Sequence, residues 1–374
     1  MGKPIVLITI DWFTPGFKAG GPVTSIRNLI DHLHNDFEFK ILTSDTEYME
    51  SVPYPNIESD VWIKTDKYEI MYLSKGKRTA KHVRSVIESI TFDVAYINGV
   101  FSKVFSIAPL AVMKGKRCIV ATRGMFSPNA LRIKKFKKQF FLNVAKLTGL
   151  YKHVEFHVTS DDEAAHVRIL FGSNKLTVVP NLYPAFDERG SVSSKESGTV
   201  NLLYVGRIAP EKNTLFAIQA LMSCKERVSL TVLGACYDEH YKSLCDKAVR
   251  ELPENCEVIF LDPVAPEKVK TLLRKSHFMY LPTRGENYGH SIIEATLAGV
   301  PSLISDKTPW NNLQEHGCEV LELNEELFAK TIDSIAKETS DEYERRCVSV
   351  SNFASTFVKN NPTAESTKRL FGLN

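Results

Sequence analysis

Two carboxylates in the second half of the chain, Glu286 and Glu294, stand on either side of a short glycine-containing segment. The segment follows a buried-strand pattern at 277–282 and precedes an apolar helix start at Ser291. A strand, a loop and a helix N-terminus in that order direct backbone N–H groups at an anion. We expect Glu286 in the loop and Glu294 in the first turn or so of the helix. A phosphate site beside two hydrogen-bond acceptors suits a nucleotide-sugar, which is a diphosphate carrying two polyols.

A second motif places two cations directly after a predicted strand at 202–205. Gly206 is followed by Arg207 and Lys212, and Asn213 has a side chain of the type that caps helices. Arginine can grip phosphate oxygens through its planar fork, and lysine adds a point charge. Neutralising a departing diphosphate helps its bond to carbon break. The alternative is a pair of surface cations flanking a turn.

The first half of the chain offers two further candidates at predicted strand ends. Gly20 and Gly21, ahead of Pro22, follow the first strand and would let the backbone approach a ligand closely. Their segment is not the Gly-x-Gly-x-x-Gly dinucleotide fingerprint, and it could be a flexible surface loop. Arg123 and Asn98 follow two other predicted strands and would face the same edge. A structural arginine is the alternative for Arg123.

The segment 131–152 is basic, contains no acidic residue and is apolar at helical spacing. Its cations are densest at Lys134, Lys135, Lys137 and Lys138. The apolar residues at helical spacing are Ile133, Phe136, Phe140, Val144 and Leu147. A basic amphipathic helix is typical of contact with a membrane surface, where each Lys contributes about 1 kcal/mol near anionic lipid. The alternative is an apolar stripe packed on the protein's own sheet beneath solvated lysines, and the two can hold together.

Short apolar runs alternate with helical patterns along the whole chain. Predicted strands lie at 5–10, 39–43, 70–73, 94–98, 118–122, 155–158, 177–179, 202–205, 229–233, 257–260, 278–281 and 302–304, and predicted helices at 23–33, 80–90, 161–171, 214–222, 240–252, 266–275 and 291–298. Unalternating apolar strands with helices between them indicate parallel sheets covered on both faces. A stretch rich in Pro, Gly and Ser at 180–199 indicates a linker between two such domains.

Bulk properties exclude several classes of protein. The chain has 374 residues, 43% apolar and 24% charged, which indicates two soluble domains. A net charge of +3 is too small to indicate a nucleic-acid partner. Seven scattered cysteines without a Cys-x-x-Cys pair and an N-terminus without a signal-peptide pattern indicate reduced thiols and a cytoplasmic protein. There is no Asp-x-Asp, phosphate-binding loop, nucleophile elbow or metal-ligand histidine spacing, so we expect no metal and no cofactor.

Together these motifs resemble a known family. GENYGHSIIEATLAGVP and VGRIAPEKN are similar to the signature of retaining glycosyltransferases of family 4, which have the GT-B fold. PGFKAGGPVTSIRNLI, TRGMFSPNAL and SDKTPWNNL, the last with Trp310, resemble the bacterial cell-surface polysaccharide branch, which includes lipopolysaccharide synthesis. The resemblance covers nearly the whole chain, and it is most specific in the second half.

The resemblance implies a fold of two Rossmann-like, doubly wound parallel-sheet domains facing a central cleft. The acceptor domain would span 1–185 and the nucleotide-sugar domain 199–351. A final helix at about 352–374 would pack back on the first domain.

The resemblance also implies roles for the motif residues. Arg207 and Lys212 would bind the donor diphosphate, Glu294 the ribose, and Glu286 the donor sugar hydroxyls as the main catalytic residue. The backbone and side chains of Asn287, Tyr288, Gly289 and His290 would meet phosphate and sugar, and Gly20 and Gly21 would approach the diphosphate from the other domain. Many relatives have a histidine in the N-terminal cleft where this chain offers Arg123, assigned to catalysis, or Asn98, assigned to the acceptor side.

The sequence therefore predicts a metal-independent, retaining hexosyl- or N-acetylhexosaminyltransferase. It would use a nucleoside-diphosphate-sugar, UDP favoured over GDP, and a glycan or lipid-linked glycan hydroxyl, at the cytoplasmic face of the inner membrane. Two other functions stay open: a nucleotide-sugar epimerase with the same fold, and a non-catalytic protein that binds nucleotide-sugars.

Overall fold

The structure is a computed structural model that describes residues 2–113, 115–132, 134–172, 175–185 and 193–373, without the side chain of Asn129. Residues 186–192 of the predicted linker and Ile133 of the predicted basic helix lie outside the described residues. The chain divides into two compact units. Unit 1 comprises Met1–Ala185 with Pro362–Asn374, and unit 2 comprises Phe186–Asn361.

Unit 1 is built on an eight-stranded sheet in the order β3-β4-β2-β1-β5-β6-β7-β8. The strands are β1 (Ile5–Thr9), β2 (Glu38–Ser44), β3 (Trp62–Lys64), β4 (Glu69–Leu73), β5 (Val94–Asn98), β6 (Arg117–Ala121), β7 (Glu155–Val158) and β8 (Lys175–Val178). The helices of this stretch are α1 (Gly21–Leu33), α2 (Ala80–Glu88), α3 (Ala108–Leu110), α4 (Pro128–Arg132), α5 (Lys135–Leu147) and α6 (Asp161–Phe171), with a π-helical turn at Lys103–Ile107. Among these strands the β3–β4 pair is antiparallel, and the other pairs are parallel.

Alternate residues of the central strands explain why this sheet is covered on both faces. Leu7 of β1 and Ile97 of β5 belong to one apolar cluster, whereas Val6 and Ile8 of β1 and Tyr96 of β5 belong to the other. Successive side chains of a strand point to opposite faces, so an uninterrupted apolar run fills two cores at once. The predicted doubly wound sheet of this unit therefore follows from its apolar strands.

Unit 2 contains a six-stranded parallel sheet in the order β11-β10-β9-β12-β13-β14. The strands are β9 (Thr199–Val205), β10 (Arg227–Leu233), β11 (Cys256–Leu261), β12 (Phe278–Leu281), β13 (Ser302–Ser305) and β14 (Glu319–Leu321). The helices are α7 (Thr214–Gln219), α8 (Glu239–Arg250), α9 (Pro266–Lys275), α10 (His290–Leu297), α11 (Glu325–Lys337) and α12 (Ser340–Asn360), with 3₁₀ turns at Ala220–Ser223 and Asn311–His316. This is the Rossmann strand order, and the winding reverses between β9 and β12, where such sheets bind ligands.

The last part of the chain differs from the expected single helix at about 352–374. Helix α12 continues to Asn360 within unit 2, and only the following helix, α13 (Thr363–Phe371), belongs to unit 1. Pro362 separates the two, because proline has no N–H to continue the helical bonding. In unit 1 the Phe371 ring packs edge-on against Phe37 and Tyr96, with ring centroids 5.5 Å and 5.3 Å away.

Two other expectations were incomplete. Strands β3 and β14 were not predicted, because both are edge strands of three residues with no fully buried position. The basic segment 131–152 is not one helix: α4 ends at Arg132, and Lys134 adopts a left-handed conformation (φ 56°) immediately before α5. In the described ranges no helix is both long and apolar enough to cross a membrane.

Candidate functional site

The loops that follow β9 and β12 are joined to each other at the point where the winding of the unit 2 sheet reverses. The Asn213 side chain donates to the Pro282 carbonyl (3.0 Å) and accepts from Nε of Arg284 (3.0 Å). The Arg284 N–H donates to the Glu211 carbonyl (3.2 Å). The two sequence motifs of the second half therefore form one site. They also bring in Arg284, a cation that the sequence did not single out.

An ion pair between Lys212 and Glu286 connects the same two loops. The ammonium lies 2.6 Å from Oε1 and 2.7 Å from Oε2 of the carboxylate. The side chains are only 24% and 8% exposed, so little water competes for their charges. The Tyr204 hydroxyl donates to the Lys212 carbonyl (2.9 Å) and fixes the backbone beneath the pair. The structure thus brings together the two residues that the sequence assigned to diphosphate and sugar.

Arg207 is held much more weakly than Lys212. Its guanidinium lies 2.9 Å from the Glu211 carboxylate, and both side chains are 44% exposed. Exposed ion pairs contribute less than about 1 kcal/mol. The Arg207 side chain can therefore exchange Glu211 for another anion at little cost.

The loop before α10 is anchored at its start by strand β13 and the residues after it. The Ser305 hydroxyl donates to the Thr283 carbonyl (2.6 Å), and the Glu286 N–H donates to the Lys307 carbonyl (3.2 Å). The loop continues through half-buried Asn287 and buried Tyr288.

Gly289 is the N-cap of α10, with φ 80° and no side-chain cap, and His290 is the first helical residue. Glu294 is partly exposed and is the fifth residue of α10, just past the first turn and close to the expected position.

Asn213 does not have the expected role of a side-chain cap. It is the N-cap residue of α7, but its backbone is left-handed (φ 62°), and it makes no side-chain cap hydrogen bond. A capping residue usually has an extended backbone, from which its side chain can reach back to the helix. The left-handed turn instead directs the amide to the neighbouring loop. Sequence reasoning missed this because the partner, Pro282, follows another strand, β12.

The structure brings Arg123 and Asn98 together at the carboxyl ends of β5 and β6 in unit 1. Nε of Arg123 donates to Oδ1 of Asn98 (2.6 Å), Nη2 donates to the Tyr96 hydroxyl (3.2 Å), and Nη1 bonds the Asn181 side chain. Much of the guanidinium fork is thus engaged inside the unit. These contacts are those of a structural arginine, and the assignment of Arg123 to catalysis stays a prediction.

A buried histidine lies behind this arginine. Nε2 of His157 bonds the Val179 carbonyl (2.8 Å), and Nδ1 lies 2.7 Å from the Tyr96 hydroxyl. A carbonyl only accepts, so Nε2 carries the proton and Nδ1 accepts from Tyr96. Burial, with the charge of Arg123, lowers the pKa of His157 to about 4. This ring is neutral near pH 7 and has both nitrogens occupied, so it is not a replacement for the cleft histidine of the similar family.

The glycine loop of unit 1 is tied down by one carboxylate. Glu47 accepts hydrogen bonds from the N–H groups of Phe17 (2.8 Å), Lys18 (3.3 Å) and Tyr48 (2.7 Å). Gly20 has φ 72° and ψ −131°, a conformation open essentially to glycine alone, and α1 begins at Gly21. The segment is therefore a shaped loop at a helix start, and contact of these glycines with a diphosphate stays a prediction.

Asp11 is a titratable residue that the sequence reading did not select. It follows β1 and accepts from the hydroxyl of Ser102 (2.6 Å), which follows the neighbouring strand β5. The winding of the unit 1 sheet reverses between these two strands. Burial raises the pKa of Asp11 to about 6, and the Ser102 bond opposes that rise. An acid directly after a buried strand was the available signal, and its burial became apparent only in the structure.

Comparison with known proteins gives a family match over unit 2. Residues 185–349 match the model of the family Glycosyl transferases group 1. The match covers most of unit 2. Over 269 residues, 70% of each chain, the protein is 23% identical to the GDP-mannose:cellobiosyl-diphosphopolyprenol alpha-mannosyltransferase of Xanthomonas oryzae pv. oryzae.

Solved structures are similar over almost the whole chain. Sucrose-phosphate synthase from Thermosynechococcus elongatus has a TM-score of 0.72 at 14% identity, covering 99% of this chain and 98% of that one. Anabaena HepE in complex with UDP-glucose has a TM-score of 0.68 at 14% identity, covering 99% and 100%. These likenesses confirm the expected GT-B fold class of two parallel-sheet α/β domains.

The loop junction at Asn213 can be tested by substitution. Asn213→Ala removes two hydrogen bonds and places alanine in a left-handed conformation, so we expect a loss of about 2–3 kcal/mol in the free energy of unfolding, measured by urea denaturation. Nucleoside diphosphate affinity should fall as well, because the two loops lose their connection. Asn324→Ala removes a helix cap elsewhere in unit 2, should cost about 1 kcal/mol and should leave that affinity unchanged. Equal nucleotide affinity in all three proteins would contradict the junction.

The environment of Asp11 can be tested through pH. The pKa is raised in the folded state, so between about pH 4 and 6 the folded protein holds a proton that the unfolded chain has released. The stability of the wild type should therefore fall, as pH rises through this window, relative to Asp11→Asn, by about 3 kcal/mol in total. Ser102→Ala removes a bond that lowers the pKa and should extend the fall to higher pH. Parallel stability–pH curves for wild type and Asp11→Asn would contradict the assignment.

Proposed function

We propose that this protein transfers a sugar from a nucleoside-diphosphate-sugar to a hydroxyl group of a glycan, with retention of the anomeric configuration. The observation that carries the proposal is the Lys212–Glu286 pair at the winding reversal of a group 1 glycosyltransferase domain. The pair sets a cation for the diphosphate and an acceptor for sugar hydroxyls side by side. Arg207 and Arg284 add two cations in the same two loops.

In this proposal donor binding rearranges charges that are already in the site. The diphosphate draws Lys212 away from Glu286, and Arg207 exchanges Glu211 for phosphate oxygens. Glu286, released from the ammonium, accepts hydrogen bonds from donor sugar hydroxyls, and Glu294 accepts from the ribose. Backbone groups of Asn287–His290 meet phosphate and sugar. Gly20 and Gly21 are candidates for a further approach to the diphosphate.

The proposed chemistry needs no metal and no cofactor. The bond between the anomeric carbon and the diphosphate oxygen breaks as the acceptor oxygen attacks from the same face, and the acceptor's proton passes to the departing phosphate. Lys212 and Arg207 stabilise the negative charge that develops on that phosphate. Asn98 and Arg123 are the candidates on the acceptor side. Arg123 acts there through Asn98, in keeping with the bond between them.

The transferred group is proposed to be a hexose or an N-acetylhexosamine. We favour UDP as the nucleotide, which is supported by the UDP-glucose complex of a protein with the same fold. The Xanthomonas relative is named for GDP-mannose, so GDP is the first competitor to test.

The acceptor is proposed to be lipid-linked, at the cytoplasmic face of the inner membrane, because helix α5 exposes an apolar stripe. Phe136, Phe140 and Leu147 are 89%, 71% and 89% exposed, so these residues do not pack on the protein's own sheet. The buried face of the helix is formed by Leu142 and Ala145. Apolar side chains beside basic ones fit an anionic lipid surface. The Xanthomonas relative is named for a diphosphopolyprenol-linked acceptor.

The lysines of this surface do not all contribute alike. Lys134, Lys135 and Lys137 are exposed. Lys138 instead donates to the Ala130 carbonyl (2.6 Å) and lies over the Phe101 ring, 5.0 Å from its centroid. Lys138 therefore fastens α5 to α4, and the proposed lipid contact rests on the other three.

The function is tested by a panel of UDP-, GDP- and ADP-sugars in thermal melting, because a ligand that binds only the folded state raises the melting temperature. We expect one nucleotide class to stabilise the protein and its sugar to be transferred to octyl glycosides of glucose, N-acetylglucosamine or cellobiose. Glu286→Gln should reduce turnover by about two orders of magnitude or more. It should leave nucleoside diphosphate affinity equal or higher, since Lys212 is no longer neutralised.

Three outcomes would contradict the proposal. Conversion of the donor to another nucleotide-sugar without acceptor would identify an epimerase. Binding without turnover toward any acceptor or water would identify a binding protein. Unchanged turnover in Glu286→Gln would remove that residue from the mechanism.

The membrane surface is tested by sedimentation with anionic vesicles of phosphatidylglycerol. We expect the wild type to bind at low salt and to retain part of its binding at high salt, because salt screens charges but not inserted rings. A triple variant, Phe136→Ser, Phe140→Ser and Leu147→Ser, should lose the salt-resistant part. Charge reversal of Lys134, Lys135 and Lys137 should remove the salt-sensitive part.

Ile169→Ser is the matched control for this test, because Ile169 is an exposed apolar residue of α6 in the same unit. The control should bind like the wild type. Sedimentation that neither set of substitutions reduces would contradict the lipid contact.

A further inference from the structure

The loop between Glu286 and α10 has two anchors, and the second is an indole. At its start the loop is bound by Ser305 and Lys307. At its end, Nε1 of Trp310 donates a hydrogen bond to the Tyr288 carbonyl. The two rings also meet edge to face, with centroids 5.6 Å apart. Trp310 therefore contacts Tyr288, the residue immediately before the helix N-cap. The N-cap itself is Gly289.

Trp310 is itself clamped on its other side. The Phe357 ring of α12 packs against the indole with centroids 5.7 Å apart, and Phe353 stacks on Phe357 one turn earlier. The backbone N–H of Trp310 donates to the Thr308 hydroxyl (3.3 Å), and the residue is only 7% exposed. An indole held on both sides presents its N–H in one fixed direction.

The bond to Tyr288 fixes more than one carbonyl. The Tyr288–Gly289 peptide is trans and planar, so its C=O and N–H point in opposite directions. Because Trp310 holds the carbonyl on one side, the Gly289 N–H is directed to the other side of the loop. Within the described part of the chain this N–H donates to no protein acceptor, although Gly289 is buried. Backbone donors of buried residues usually have a partner, so this N–H is available to a ligand acceptor.

There is little room for this peptide to turn. A Cβ added to Gly289 would lie 3.2 Å from Nε1 of Trp310 and 3.0 Å from Cδ1 of Ile292. The positive φ of Gly289 (80°) lets the chain enter α10 while the Tyr288 carbonyl faces the indole. The donor direction is thus set by Trp310 together with the absence of a side chain at 289.

We propose that Trp310 is a positioning residue for the donor diphosphate, which it never touches: its indole N–H sets the peptide plane that aims the Gly289 N–H at a phosphate oxygen. This rests on the proposed function, since it assigns how the same loop receives its ligand. An N–H already held in place loses no freedom when the phosphate arrives, so the bond adds its full strength to binding.

The wild-type protein allows a direct test, because Tyr288–Gly289 is the only Tyr–Gly pair in the sequence. Full-length protein carrying carbonyl-¹³C tyrosine and ¹⁵N glycine will show one amide peak in a ¹³C-filtered NMR spectrum, that of Gly289. We expect UDP or GDP, whichever binds, to shift the amide proton downfield. The matching nucleoside, which lacks phosphate, should shift it little.

Substitution separates positioning from packing. Trp310→Phe keeps a ring but removes the donor, so we expect a displaced Gly289 peak and a loss of roughly tenfold or more in nucleoside diphosphate affinity. Nucleoside affinity should change less than twofold. Phe357→Leu loosens one side of the indole but leaves the N–H bonded to the Tyr288 carbonyl. It should lower the melting temperature and weaken the affinity much less than Trp310→Phe does, by no more than about threefold. If Trp310→Phe fails to fold, 3-benzothienylalanine at this position replaces only the N–H by sulfur and should give the same loss of affinity.

The outcomes separate two failures. If the wild type binds no nucleoside diphosphate, the proposed function fails, and this inference with it. If it binds but the Gly289 peak stays in place, or if Phe357→Leu weakens binding as much as Trp310→Phe, the function stands and the role of Trp310 is refuted.

Discussion

The contact between the Lys212 ammonium and the Glu286 carboxylate is the interaction on which the rest of the site depends. It joins two loops that are far apart in sequence, and it keeps a cation and an acceptor close together before any ligand binds. The contact is possible because β9 and β12 are neighbours in the sheet, although β10 and β11 come between them in the chain. Only at a reversal of winding do two such loops diverge enough to leave a crevice.

The charged groups of this site are bound with different strengths. Glu286 is nearly buried and bound through both oxygens, whereas Arg207 is exposed and bound through one contact to Glu211. Asn213 and Trp310 hold the backbone of the two loops through uncharged hydrogen bonds. A site of this kind can exchange charged partners while its backbone stays in place. That combination is what binding and releasing a diphosphate requires.

The fold could be predicted well from the sequence, because the signals are local. Apolar runs such as those of β5 and β12 are buried on both faces of their sheets, and the length of each run shows where its strand begins and ends. The two edge strands β3 and β14 lack that signal, since neither has a fully buried position. Pro362 separates α12 from α13, and the sequence could not show that the residues before it stay with unit 2.

The site was predicted only as far as residue types reveal it. Arg207, Lys212 and Glu286 were found because they are charged residues in the short segments that follow predicted strands, and such a pattern can be recognised in the sequence alone. The role of Asn213 and the direction of the Trp310 N–H depend on partners in the loop after β12, which is distant in sequence. The burial of Asp11 depends on the whole sheet. The apolar stripe of α5 shows the same limit: its spacing was clear from the sequence, but its exposure was not.

A crystal structure of the full chain with the stabilising nucleoside diphosphate tests the central claim most directly. The account predicts that the Lys212 ammonium moves to a phosphate oxygen and no longer contacts both oxygens of Glu286, with the diphosphate lying between the loops after β9 and β12. A diphosphate bound elsewhere, or an ion pair that stays intact beside it, would contradict the account.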